Sequence, residues 1–214
     1  MLFRTKYAKK FTELAKRAHE KDKNFKIFGS DKHRYKFNPP ATLLDIITVE
    51  SKLNIKLPEA YVKFMLEVGN GGAGPYYGLY SLKDVIVHNY HILEHCNSKE
   101  YRQAEAFINS SMTTEKYNEL IKKMETDDDD IYDFYEGLLT KDALVICTQG
   151  CTYDYVLMCG GDLRGEVVAI DWNFIEDGPP YPTHQTFEEW WTSYFLKIIH
   201  GDVTNRGTFK TVNN

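Results

Sequence analysis

The stretch GNGGAGPYYG, from Gly69 to Gly78, satisfies G-x-G-x-x-G at Gly69, Gly71 and Gly74. In a dinucleotide site such glycines follow a strand and open a helix, so that the helix N-terminus faces the pyrophosphate. Here the order is reversed. Tyr61, Phe64, Met65 and Val68 recur upstream at i, i+3, i+4 and i+7, which predicts a helix with Pro58 in its first turn. Gly69 then falls at the left-handed C-cap position, and GLYSL, from Gly78 to Leu82, reads as strand-like. The loop thus faces the negative end of a helix dipole, which disfavours an anion. Its glycines read as a tight reversal from helix to sheet, not as a phosphate cradle.

Upstream, Phe3, Tyr7, Phe11, Leu14 and Ala18 predict an amphipathic helix over 3–20. Residues 21–40 are polar and end at Pro39-Pro40, which fits a loop or short strand. Thr42 is placed to cap a helix carrying Leu43, Leu44, Ile46, Ile47 and Leu53. Downstream, 82–126 reads as mostly helical, with loops around Asn97-Ser98 and 110–113. An acidic stretch follows: Glu125, then Asp127, Asp128, Asp129 and Asp130, then Asp133 and Glu136. Four consecutive aspartates repel one another and are expected in a solvated loop or turn.

The C-terminal third changes character. Ala143–Cys147 and Tyr153–Cys159 read as strands, 160–165 as a turn, and Glu166–Asp171 as the returning strand. Gly178-Pro179-Pro180 with Pro182 predicts a long loop. The last helix has a capping box at Thr186 and Glu189. Phe187, Trp190, Trp191, Tyr194, Phe195, Ile198 and Ile199 form its apolar face, and Gly201 closes it. Residues 202–214 read as a frayed tail. Strands joined by a short turn imply an antiparallel sheet with helices packed against it, an α+β fold.

The 214 residues are 43% apolar and 14% aromatic, enough for a real core. The longest apolar runs, such as Leu144–Cys147, are too short to span a bilayer. The charged start MLFRTKYAKKF lacks a signal-peptide pattern, so a cytoplasmic location is expected. Four cysteines (Cys96, Cys147, Cys151, Cys159) read as reduced thiols. The net charge of -5 conceals an asymmetry: 12 Lys/Arg against 4 Asp/Glu in residues 1–36, and 14 against 27 in the remainder. The acidic body repels nucleic acid and attracts basic partners. The basic segment reads as the solvated face of its helix. Neither nucleic acid nor membrane is expected as a partner.

His88, His91 and His95 would share a face of one helix, but i to i+7 spans about 10 Å, too far for one metal to reach all three comfortably. Cys147 and Cys151 lack a paired second knuckle, and no nucleophile elbow or local histidine accompanies Cys151. No metal, cofactor or catalytic residue is expected.

Several stretches taken together resemble the SUKH superfamily, which includes bacterial immunity proteins and fungal cell-wall regulators. Glu50 precedes a block matched at Leu57, Pro58, Tyr61, Phe64, Asn70, Gly71 and Gly72, and a second block is matched at Gly165, Val167, Asp171, Phe187 and Trp190. The resemblance covers 42–84 and 143–196, and it implies one SUKH-like domain over 1–214. Residues 1–40 are then an N-terminal helical extension and 85–140 a helical, acidic insertion. For a bacterial member it implies a non-catalytic immunity protein that blocks a toxin domain, often a nuclease, by occupying its active site. The acidic stretch (Asp127–Asp130, Asp133, Glu136), with the exposed ring of Tyr76 or Tyr77, is the expected contact surface. The alternative implied is a regulatory scaffold of the fungal kind. Monomer and dimer both remain open.

Overall fold

A computed structural model describes residues 5–95, 98–174 and 178–203. Four strands, β1 (Ala143–Gly150), β2 (Tyr153–Met158), β3 (Glu166–Asp171) and β4 (Tyr181–Thr186), form an antiparallel sheet in the order β1-β2-β3-β4. With ten helices among the described residues, this is the α+β architecture expected. The helices are α1 (Lys6–Lys21), α2 (Ser30–His33), α3 (Leu43–Leu53), α4 (Glu59–Glu67), α5 (Leu82–His88), α6 (Tyr90–His95), α7 (Lys99–Gln103), α8 (Thr114–Met124), α9 (Asp129–Leu139) and α10 (Phe187–His200).

Both faces of the sheet are covered, which explains the continuous apolar runs of β1 and β2. Leu144 and Ile146 enter one core with residues of α1, α4 and α10. Ala143 and Val145 point the other way, into a core with residues of α8. At the centre of the first core sits Trp191, fully buried, its ring stacked on Phe195 at 3.9 Å and flanked by Phe11, Phe37 and Phe64. Its indole N–H donates to the Ala73 carbonyl at 3.0 Å, tying α10 to the glycine loop.

Four sequence expectations change. β4 replaces part of the loop expected around Pro182, which pairs with Val168. β4 is the outermost strand, and an edge strand tolerates a residue without an N–H. The strand-like GLYSL makes only isolated bridges, Leu79 lying between Gly72 and Cys147. Gly69 is not left-handed. It is small because a Cβ there would lie 2.7 Å from the Asn38 carbonyl oxygen and from the Phe37 Cβ. The positive φ falls instead on Gly71 and Gly72, at +79° and +94°. Finally, α3 buries Ile46, Val49 and Leu53 but leaves Leu43, Leu44 and Ile47 in solvent.

The outer edge of β1 is sealed without a neighbouring strand. Asn89, fully buried between α5 and α6, donates to the Val145 carbonyl at 3.1 Å and accepts from the Val145 N–H at 2.7 Å. Tyr80 N–H donates to the Ile146 carbonyl one residue further on.

The segment after α1 is organised by Asp22, whose buried carboxylate accepts from Lys26 N–H, Ile27 N–H, Ser30 Oγ and Tyr35 OH. Beside it, His33 Nδ1 accepts from the Tyr35 N–H at 2.9 Å. Burial lowers the His33 pKa from its usual 6.5 to about 4, against the opposing pull of Asp31 and Asp22. The unfolded chain therefore binds the extra proton first. Stability is complete above pH 6.5 and falls by about 1.4 kcal/mol per unit as the pH drops toward 4. Urea midpoints measured across that window should show this slope flattened in His33→Gln. An unchanged slope would assign the acid sensitivity elsewhere.

Candidate functional site

The glycine loop is a structural hub. The N–H groups that a phosphate would need are already engaged. Gly72 N–H donates to the Leu79 carbonyl, Ala73 N–H to Lys36, and Gly78 N–H to Pro75. Asn70 Oδ1 accepts from the Leu82 N–H at 2.8 Å, and its backbone carbonyl accepts from Asn38 Nδ2. A Cβ at Gly72 would lie 2.5 Å from the Lys36 carbonyl oxygen. The remaining motif residues hold the same frame. Glu50 accepts from the Leu57 N–H and pairs with Lys56. Arg164 donates to the Lys56, Leu57 and Cys159 carbonyls, fastening the turn before α4 to the sheet. Pro58 stands one residue before α4 as its N-cap, and Tyr61 and Phe64 are fully buried. Trp190 packs against Tyr155 and Phe187.

Tyr76 is not the exposed ring expected. It is buried, stacked on Tyr155 with its hydroxyl 3.0 Å from that of Tyr155. The positive φ of Tyr76 turns the chain inward at this point. Tyr77 is half-buried, packed over Gly150 and tilted onto Phe28.

The histidines do not share one helix. α5 ends at His88, Asn89 interrupts, and α6 begins at Tyr90. The His88 ring stacks on Tyr80 at 4.1 Å. The side chains of His91 and His95, together with Cys96, lie outside the described residues. Among the described residues, no group of three or more His, Cys, Asp or Glu has metal-holding geometry. Cys147 and Cys159 are buried, and burial pushes both thiols up, away from thiolate character. Cys151 is exposed in the β1–β2 turn.

The acidic stretch is solvated as expected, but only its start is irregular. Asp127 lies in a bend, and Asp128 caps α9 by accepting from the Ile131 N–H at 3.2 Å. Asp129 and Asp130 occupy the first turn of α9, where the positive helix end favours them. One turn on, Asp133 is exposed and Glu136 half-buried. Glu136 is held above the usual carboxylate range by burial first, then by Asp133 and Glu94. Burial likewise raises the Tyr90 hydroxyl, with further contributions from Glu136, Glu94 and Asp133. These carboxylates form no ion pair with a lysine or arginine among the described residues. Tyr90, Ile131 and Phe134 are exposed among them.

Charge made the acidic half of this surface legible. Its apolar half went unrecognised, because exposure of an aromatic depends on neighbours that only the fold supplies. One signal was available in α9: Tyr132, Tyr135 and Leu139, at i, i+3 and i+7, form the stripe that enters the core, and Ile131 and Phe134 lie to one side of it.

What the surface offers is a carboxylate field around partly wetted rings, which attracts cationic groups. No helix among the described residues is long and apolar enough to cross a membrane. No curated protein matches the chain. The model of the SMI1 / KNR4 family (SUKH-1) matches residues 40–193, running through both motif blocks and the helical section between them. A match of that extent, on a frame whose motif residues hold the loop, the α4 turn and the sheet together, places the chain in the SMI1 / KNR4 family (SUKH-1).

Proposed function

We propose that this chain is an immunity protein that binds a cognate bacterial toxin domain, of nuclease type, and neutralises it one-to-one by covering its active site. Family membership supports an immunity or SMI1/KNR4-like role in general. The observation that favours the toxin reading is the carboxylate field of α9, formed by Asp129, Asp130, Asp133 and Glu136, which pairs with no lysine or arginine among the described residues. An enzyme that grips nucleic acid presents a cationic groove, and an acidic protein both finds and fills such a groove. The chain acts by binding, not by catalysis, in the cytoplasm of the cell that makes it.

The test is titration calorimetry against the C-terminal domain of the large protein encoded next to this chain's gene. The expected result is one-to-one, sub-micromolar binding that weakens as salt screens the surface charges. Asp133→Asn with Glu136→Gln should weaken it further, chiefly through a slower on-rate. An absence of binding to a folded, toxic domain would discard the immunity reading and leave the regulatory scaffold.

A further inference from the structure

Exposed apolar side chains recur on four helices that pack in series. Leu44 and Ile47 stand on α3, Val87 on α5, Tyr90 on α6, and Ile131 and Phe134 on α9. α3 packs on both α5 and α6, and α6 packs on α9. Asn89, between α5 and α6, fixes this set to the outer edge of β1. The four helices therefore form a continuous wall around that edge. Leu44 is 70% exposed and Val87 64%. Large aliphatics this open on helices that pack together make the set a candidate interaction surface.

The same four helices carry eight carboxylates against two lysines, a net charge of -6 with histidines neutral. By contrast, α1 carries six Lys/Arg against two Glu. Building on the immunity reading above, we propose that this wall is the docking surface, and that its occupant is a protein segment presenting apolar side chains flanked by lysine or arginine. Charge selects among the possible occupants. A second copy related by a two-fold axis would set the same acidic helices against themselves, and like charges across an interface are disfavoured. Nucleic acid and anionic lipid are repelled for the same reason. A cationic, amphipathic protein segment meets no such penalty. Its apolar side chains cover Leu44, Ile47 and Val87, while its cations reach Asp133, Glu136 and Glu94. The apolar centre then supplies the affinity and the carboxylates supply steering and register.

The experiment is an NMR titration of the isotope-labelled full chain with a helical peptide of leucine and lysine. A second peptide, with every lysine replaced by glutamate, serves as the control. The expected result is saturable shifts at the amides of Ile47, Val87, Tyr90 and Ile131 with the lysine peptide only. Leu44→Asp with Val87→Asp, both at exposed positions, should weaken that peptide about tenfold or more. Lys9→Ala with Lys16→Ala on α1 should leave its affinity unchanged. Shifts centred on α1, no saturable shifts, or a dimer that the Leu44/Val87 variant dissolves would each overturn the proposal. Repeating the titration with the toxin domain separates the two readings. If the peptide maps to the wall and the toxin domain does not bind, the surface stands and the immunity reading falls. If the toxin domain binds and ignores the Leu44/Val87 variant, the surface falls and the immunity reading stands.

Discussion

Trp191→Ala is expected to leave the chain at or beyond the limit of folding. Removing a fully buried indole from a packed core costs about 3–5 kcal/mol through lost burial and the cavity left behind. The rings of Phe195, Phe11, Phe37 and Phe64 all face that cavity. The Ala73 carbonyl also loses its donor, adding about 1–3 kcal/mol. The total is a large share of the roughly 5–15 kcal/mol that holds a typical domain folded. Trp191→Phe separates the two contributions. It keeps a ring in the stack and loses the N–H, so its cost should be about 1–3 kcal/mol. Urea unfolding followed by circular dichroism reads both. If Trp191→Ala cost less than about 1 kcal/mol, the aromatic cluster would not be the centre of the core.

Asn89→Leu is the second large effect. The side chain is close to isosteric, so little volume changes, yet three buried hydrogen bonds disappear. Val145 loses partners on both its N–H and its carbonyl, and the Val85 carbonyl loses a donor. At about 1–3 kcal/mol for each buried group left unpaired, a loss of about 4 kcal/mol is expected. The edge of β1 would also open to pairing with other chains, so the variant should aggregate during refolding. Hydrogen exchange at the Val145 amide gives a local reading that global unfolding does not. A protected Val145 amide in a variant of near-normal stability would sink the claim that Asn89 seals this edge.

Sequence and structure agree where local chemistry is self-sufficient. The last helix was legible because Thr186 and Glu189 form its capping box and seven apolar residues share its buried face. The β2–β3 hairpin was legible because glycines at 160, 161 and 165 punctuate two apolar runs. β4 was not, since Tyr-Pro-Thr-His-Gln-Thr contains a residue that most strands reject, and only its place at the sheet edge makes it acceptable. Asn89 was illegible for a deeper reason. A lone polar residue in a helical stretch looks like surface until the strand it serves is known. The candidate surface divides in the same way. Asp133 and Glu136 announce themselves by charge, whereas the burial of Tyr76 and the exposure of Leu44 are both decided by packing partners distant in sequence.

The N-terminal helix has a consequence for how such proteins diversify. The family match begins at residue 40, yet Phe11, Tyr35 and Phe37 reach the same core as Trp191. Tyr7 is fastened to Glu188 of α10 and Thr5 to Glu67 of α4. The segment ahead of the shared boundary is therefore a wall of the house and not a porch. A relative that lacked it would have to close the Trp191 cavity by other means, and one that borrowed it would need matching rings to receive it. The boundary drawn from shared sequence and the extent of the packed core differ in this chain by two helices, α1 and α2. A recombination event respecting only the first would hand on an open core.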